Sequence, residues 1–268
     1  MSENNANLAI IACIVVIIAI LLMAVTLPVS ELINDNEIAI IEINGNINYV
    51  TNSTNSSVDY IETGIKDAND NPNVKAILIE VNCKKGSLVA SEELSKIIKE
   101  SKKPTVSWIS DYGLSEGYLI ASSADTVIAT PYSAIGGIGK SFEDSTKYSH
   151  NKISGQYNSS LINKNKLKSS NLLNPQEMIN QDYTYFIKLI AQNRGLKASY
   201  VSKIANSKVY NGNEALKLKL IDKIGDKEKA IKITASKANL TDYHVVIYPQ
   251  DQSTKLTSFL HDKWNFKK

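Results

Sequence analysis

The chain has 268 residues, enough for one domain of ordinary size with an added tail or anchor. Its net charge of +3 is small, only Arg194 among 30 basic residues is an arginine, and no basic stripe is interleaved with aromatics, so composition argues against a nucleic-acid partner. Two cysteines, Cys13 and Cys83, give no disulfide framework, and no Cys/His spacing matches a zinc site.

Residues 1–7 read as a short tail. Residues 8–27 are apolar apart from Thr26, and twenty helical residues reach about 30 Å, the hydrocarbon thickness of a bilayer. A transmembrane anchor is therefore expected over 8–28. Its flanks hold no Lys or Arg, so charge gives no orientation. A cleavable signal peptide is the competing reading, but it calls for a positive n-region and a shorter apolar core. Residues 29–37 are polar and acidic, a linker to a domain over 38–250.

That domain opens with an Ile-rich strand over 38–43 and a turn at Gly45-Asn46. A Ser/Asn/Thr loop over 52–57 follows. A helix over 58–68 carries Val58, Ile61, Ile65 and Ala68 on one face. Residues 74–81 are too apolar for a half-exposed strand and belong at the centre of a covered sheet. The helix over 90–100 presents Leu94, Ile97 and Ile98 to a core, with Glu92 and Glu93 early and Lys96 and Lys99 late, as the helix dipole favours. A buried strand over 104–109, a helix over 115–123 and a strand over 126–129 come next. Residues 141–170 are polar and weakly periodic. The strongest helical pattern spans 175–194, with Ile179, Tyr183, Phe186, Ile187 and Ile190 on one face and Gly195 as its stop. Short helices over 200–205 and 214–218, a helix over 227–238 and a strand over 244–248 precede a polar tail over 251–268. Strands alternating with helices place the domain in the α/β class.

Chemistry points to one stretch, Asp111-Tyr112-Gly113-Leu114-Ser115-Glu116-Gly117-Tyr118. A Ser between a strand end and a helix start lies where backbone N–H groups point outward and the helix dipole is positive. Such a place suits a nucleophile whose attack creates an oxyanion. It equally suits a Ser that only caps the helix.

Other motifs favour the first reading. Val81-Asn82-Cys83-Lys84-Lys85-Gly86-Ser87 precedes the Ser, and Ile135-Gly136-Gly137-Ile138-Gly139, Lys208-Val209-Tyr210-Asn211-Gly212 and Leu220-Ile221-Asp222-Lys223-Ile224-Gly225 follow it. This ordered set, over residues 38–233, resembles the signal peptide peptidase A family, membrane-bound serine proteases of the Clp protease/crotonase superfamily. The resemblance implies a spiral of β-β-α units and a serine endopeptidase that cleaves apolar peptides, such as released signal peptides, near the bilayer. It also implies a homo-oligomeric ring and a peptidase domain outside the cytoplasm, with neither metal nor cofactor. Sequons at Asn52, Asn55, Asn158 and Asn239 are compatible with that location, although an Asn-rich chain has them by chance.

Through this resemblance Ser115 is the nucleophile, and the backbone N–H groups of Gly86 and Glu116 form the oxyanion hole. Lys85 and Glu116 stand where the family usually has Gly. A turn glycine with positive φ is the plainer reading of Gly86. The family's base is a Lys shortly after a Ser-Gly pair; Ser154-Gly155 matches the pair, but Asn158 occupies the Lys position. A Lys base needs burial to lower its pKa from ~10.4 to near 7. Lys164, Lys166 and Lys168 lie just downstream, Lys164 closest to the vacant position, and each also fits a surface lysine. His150, oriented by Asp182 or Asp222, would make a triad instead. If no base remains, the domain is an inactive, membrane-tethered binding or scaffold subunit. An enoyl-CoA hydratase-like enzyme on the related fold is a further alternative, against which the anchor and the motif set weigh.

Overall fold

The computed structural model describes residues 16–18, 36–49, 57–139 and 175–250. The chain divides into two units, residues 1–35 and 36–268. Of the first, only Val16, Ile17 and Ile18 are described; they are helical and exposed. The rest of the expected anchor and both expected tails lie outside the described residues. Among the described residues no helix is long and apolar enough to cross a membrane.

The second unit is a mixed α/β fold on a largely parallel sheet. Its strands are β1 (Glu37–Asn44), β2 (Val74–Cys83), β3 (Thr105–Leu114), β4 (Thr126–Ala129), β5 (Ala134–Gly136), β6 (Val209–Tyr210), β7 (Lys223–Ile224) and β8 (His244–Tyr248). They run in the order β6-β5-β3-β2-β1-β8, with β4 joining β3 to β7. Among the described residues only the β5–β6 pairing is antiparallel. The helices are α1 (Val58–Asp70), α2 (Leu88–Lys99), α3 (Glu116–Ala121), α4 (Pro175–Arg194), α5 (Ala198–Ile204), α6 (Gly212–Lys217) and α7 (Lys227–Lys237).

The run read as central is central: β2 has β1 on one side and β3 on the other. Neighbouring side chains on a strand point to opposite faces, and here both faces are covered. Ala39, Ile41, Ile43, Ile77, Ile79 and Val81 enter the larger core with Ile61 and Ile65 of α1, Leu94 of α2 and Phe186 of α4. Ile38, Ile40, Leu78, Val106, Trp108 and Ile128 pack with Ala230 and Ala235 of α7 on the other face. Two covered faces explain the absence of polar alternation in β2. Each fully buried Ile or Leu contributes about 1.5–3 kcal/mol.

Several boundaries differ from the expectation. Glu37, assigned to the linker, opens β1; its carboxylate accepts hydrogen bonds from Tyr248 at 2.8 Å and Asn71 at 3.2 Å. Ile97 is only partly buried, at the margin of the core that Leu94 and Ile98 enter. β3 runs five residues past 109 because it changes partner: residues 106–109 pair with β4, and 112–114 with β5. Strand β5 was not anticipated; in the sequence its residues stand out only as part of a glycine-containing motif. Strands β6 and β7, of two residues each, carry too short a pattern to read. The helix after Ser115 stops at Ala121, where the hydroxyls of Ser122 and Ser123 donate to the Leu119 and Ile120 carbonyls.

Candidate active site

Ser115 stands alone between the last residue of β3 and the first of α3. Its backbone has φ 51° and ψ −118°, a left-handed conformation that costs a non-glycine residue about 1–3 kcal/mol. The turn is fixed from both sides: the Ser115 N–H donates to the Gly136 carbonyl at 2.8 Å, and the Leu119 N–H donates to the Ser115 carbonyl at 3.1 Å. Ser115 occupies the N-cap position, yet its hydroxyl makes no capping hydrogen bond. The capping role that competed with the nucleophile role is not taken up.

The glycines around this turn have steric reasons. A Cβ on Gly117 would lie 2.5 Å from the Cys83 carbonyl oxygen, and one on Gly113 would lie 2.8 Å from the Ile109 side chain. Gly113-Leu114-Ser115-Glu116-Gly117 is thus a Gly-x-Ser-x-Gly spacing, the pattern of a strained strand-to-helix elbow that lifts a Ser clear of its neighbours. That signal was available in the sequence and was not read there. Gly136 and Gly137, with φ of 100° and 55°, turn the chain after β5 beside Leu114 and Ser115.

Gly86 follows β2 in the loop that leads to α2. It is not among the positive-φ residues, so the turn-glycine reading fails. Its constraint is close approach, since a Cβ would lie 2.7 Å from the Ile47 carbonyl oxygen. Ile47 donates to the Lys85 carbonyl and accepts from the Ser87 N–H, at 3.1 and 2.8 Å. This parallel bridge uses the groups flanking Gly86 and leaves the Gly86 N–H facing the opposite way. There it meets the next residue after the candidate nucleophile: the Glu116 carboxylate accepts the Gly86 N–H at 3.2 Å. Glu116 is only 2% exposed. Three of the sequence-derived site residues, Ser115, Glu116 and Gly86, therefore meet at the carboxyl ends of the central strands β2 and β3, where open α/β sheets place their ligands.

The other candidates fare differently. Lys164, Lys166, Lys168, Asn158 and His150 lie outside the described residues. Asp222 is committed elsewhere: its carboxylate takes two hydrogen bonds from Arg194 and a third from the Val127 N–H, so its service to His150 is not supported. Asp182 is exposed on α4. Burial pushes the Cys83 thiol up to about 12, which removes it as a competing nucleophile near neutral pH. Burial also holds Lys103 below the usual lysine range. Lys103 donates to the Ala68 and Asn71 carbonyls, however, at the start of β3. Ser115 follows the far end of that strand, about 30 Å away at ~3.3 Å per residue. Among the described residues no group of three or more His, Cys, Asp or Glu could hold a metal ion.

Asn193, absent from the sequence reading, braces the helix that follows Ser115 from its far end. Its amide donates to Ser122 Oγ at 3.0 Å and to Ser95 Oγ at 3.2 Å, tying α4 to the end of α3 and to α2. One Asn on a long helix gives no sequence signal for such a role.

The fold has solved counterparts. A membrane-bound stomatin-specific protease, solved in complex with a substrate peptide, aligns with a TM-score of 0.58 over 86% of this chain and all of its own, at 20% identity. In sequence, a putative protease of Methanocaldococcus jannaschii is 31% identical over 204 residues, 72% of this chain and 65% of its own length. A putative signal peptide peptidase SppA of Enterococcus faecium is 26% identical over 224 residues, 75% of this chain and 62% of its own. The chain thus spans slightly less than two thirds of either relative. The model of peptidase family S49 matches residues 97–241, more than half of the chain and the whole strand-turn-helix around Ser115, and the chain belongs to that family, the family of signal peptide peptidase A.

Proposed function

We propose that this chain is a membrane-anchored serine endopeptidase with Ser115 as its nucleophile. Its substrates are apolar peptides near the bilayer, such as released signal peptides. The single observation that carries the reading is the backbone of Ser115, held at φ 51° between β3 and α3 with its hydroxyl free of any capping bond. A strained residue persists only where its surroundings over-determine it, and such residues cluster at active sites. The Gly86 N–H stands one residue's reach away and serves as an oxyanion donor, with the Glu116 N–H as the second. The base is a lysine between Lys164 and Lys168, making a Ser/Lys dyad. Residues 8–28 anchor the chain, the peptidase domain lies outside the cytoplasm, its strands and helices wind as a β-β-α spiral, and copies assemble into a ring.

The test is hydrolysis of a fluorogenic apolar peptide by the full chain, together with fluorophosphonate labelling mapped by mass spectrometry. Turnover and a label on Ser115, both lost in Ser115→Ala, are expected. Turnover that survives Ser115→Ala would overturn the assignment.

A second reading, an inactive tethered binding subunit, is favoured by one contact: the Glu116 carboxylate sits on the Gly86 N–H. Wild-type turnover equal to that of Ser115→Ala on every peptide would select it.

A further inference from the structure

We propose that the Glu116 side chain is the resident occupant of the oxyanion hole, so that a substrate carbonyl must displace it before Ser115 can react. This rests on the reading of Ser115 as nucleophile and of the Gly86 N–H as a hole donor.

The geometry leaves the Gly86 N–H one direction to point. The Lys85 carbonyl and the Ser87 N–H are both bound to Ile47, and the Gly86 N–H faces away from that bridge towards α3. Its acceptor there is Glu116 Oε2, at 3.2 Å. An oxyanion has to lie 2.7–3.1 Å from its donors. The Glu116 oxygen and a substrate oxygen therefore claim the same donor and the same space. The contact is no accident of a flexible surface chain, because Glu116 is 2% exposed. Its charge also reaches the Cys83 thiol, adding to the upward push of burial on that group. The occupant is thus a buried carboxyl oxygen standing where the transition state places its own oxygen.

Removing one donor from such a hole costs about 10²–10³ in kcat. Blocking one has a cost of the same kind, and emptying it restores the loss. Glu116→Gly deletes the occupant. Glu116→Gln keeps its shape and an acceptor oxygen but not its charge.

The test uses the full chain labelled with 15N-glycine, in which 12 glycines give a short spectrum. In Glu116→Gly the Gly86 amide should exchange with solvent at least about tenfold faster than in the wild type, while in Glu116→Gln it stays near the wild-type rate. Fluorophosphonate should label Ser115 at least about tenfold faster in Glu116→Gly, with Glu116→Gln in between, by the share that one hole donor supplies. A Gly86 amide that exchanges equally fast in wild type and Glu116→Gly overturns the proposal, as does wild-type labelling as fast as that of Glu116→Gly. A freed Gly86 amide with no labelling in either protein upholds the placement of Glu116 and instead sinks the peptidase reading. Thermal melts of both variants separate these outcomes from simple misfolding.

Discussion

Arg194 and Asp222 face each other through two parallel hydrogen bonds, Nη2 to Oδ1 at 2.7 Å and Nη1 to Oδ2 at 3.0 Å. Arg194 ends α4, and its guanidinium also donates to the Lys219 carbonyl. Asp222 accepts the Val127 N–H of β4 at 2.7 Å. One ion pair thereby fastens the long helix to the sheet behind the elbow. The Arg194 side chain is 7% exposed and that of Asp222 38%, so the pair is screened on one side only.

Removing one partner of a fully buried pair costs about 3–5 kcal/mol. With Asp222 partly solvated, Asp222→Asn should cost roughly 2–3 kcal/mol in urea unfolding. Arg194→Lys should also destabilise, because an ammonium cannot form the two-pronged contact. Burial alone would raise the Asp222 carboxyl, but the hydrogen bonds from Arg194 and the Val127 N–H outweigh it and hold the group below the usual carboxylate range. A depressed carboxyl stabilises the fold above its unfolded pKa of ~3.9 and loses that contribution as pH falls through its folded value. The wild type should therefore shed stability below about pH 4, and Asp222→Asn should lack that component. Parallel acid-unfolding curves for the two proteins would refute the assignment.

Strain at Ser115 gives a second prediction, in which stability and chemistry move in opposite directions. At φ 51° a glycine is at ease and an alanine is not. Ser115→Gly should be about 1 kcal/mol more stable than Ser115→Ala, the relief of strain being offset in part by the freer unfolded chain. Both variants should lose turnover. Equal midpoints in urea would show that the turn carries no strain.

Long periodic elements were legible in the sequence. Val58, Ile61, Ile65 and Ala68 lie buried along α1 as their spacing required, and α4 has the expected bounds at Pro175 and Arg194. Short and context-dependent features were not. Strand β5 exists because Tyr112, Gly113 and Leu114 pair with it, a long-range partnership that its own three residues do not encode. The meeting of Glu116 with Gly86 depends on which way one N–H points after the bridge to Ile47, and no linear pattern records that. Asp222 looked like an orienter for His150 because its partner, Arg194, lies 28 residues away in the chain.

The identity of the base is open to a direct measurement on the proposed dyad. Lys164→Ala should be as inert as Ser115→Ala towards a peptide substrate, while Lys166→Ala, Lys168→Ala and His150→Ala keep most of the wild-type rate. Wild-type activity should rise with pH through a lysine pKa well below ~10.4, since only the neutral amine accepts a proton. Loss of activity confined to His150→Ala would replace the dyad with a triad.

Gly117 offers the sharpest steric test of the elbow. Its missing side chain lets α3 lie directly on the end of β2: a Cβ there would stand 2.5 Å from the Cys83 carbonyl oxygen and 2.7 Å from the Cys83 Cβ. Both obstacles belong to or adjoin backbone of a central strand, so no flexible side chain can swing aside. Gly117→Ala must lift the start of α3 away from β2, and overpacking of this kind costs about 1–3 kcal/mol. The same displacement moves Ser115 and Glu116 relative to Gly86, and a shift near 1 Å in a reacting group costs about 10²-fold in rate. In Gly113→Ala the nearest obstacle is the Ile109 side chain, at 2.8 Å, rather than the backbone of a central strand, so it should be milder on both counts. Gly195→Ala is the control: nothing lies within 4 Å of its Cβ, and only its φ of 62° is unfavourable. Urea midpoints and peptidase rates of the three variants should rank Gly117→Ala lowest in both. If Gly117→Ala matches Gly195→Ala in stability and retains wild-type turnover, the close packing of the elbow on β2 does not hold the site together.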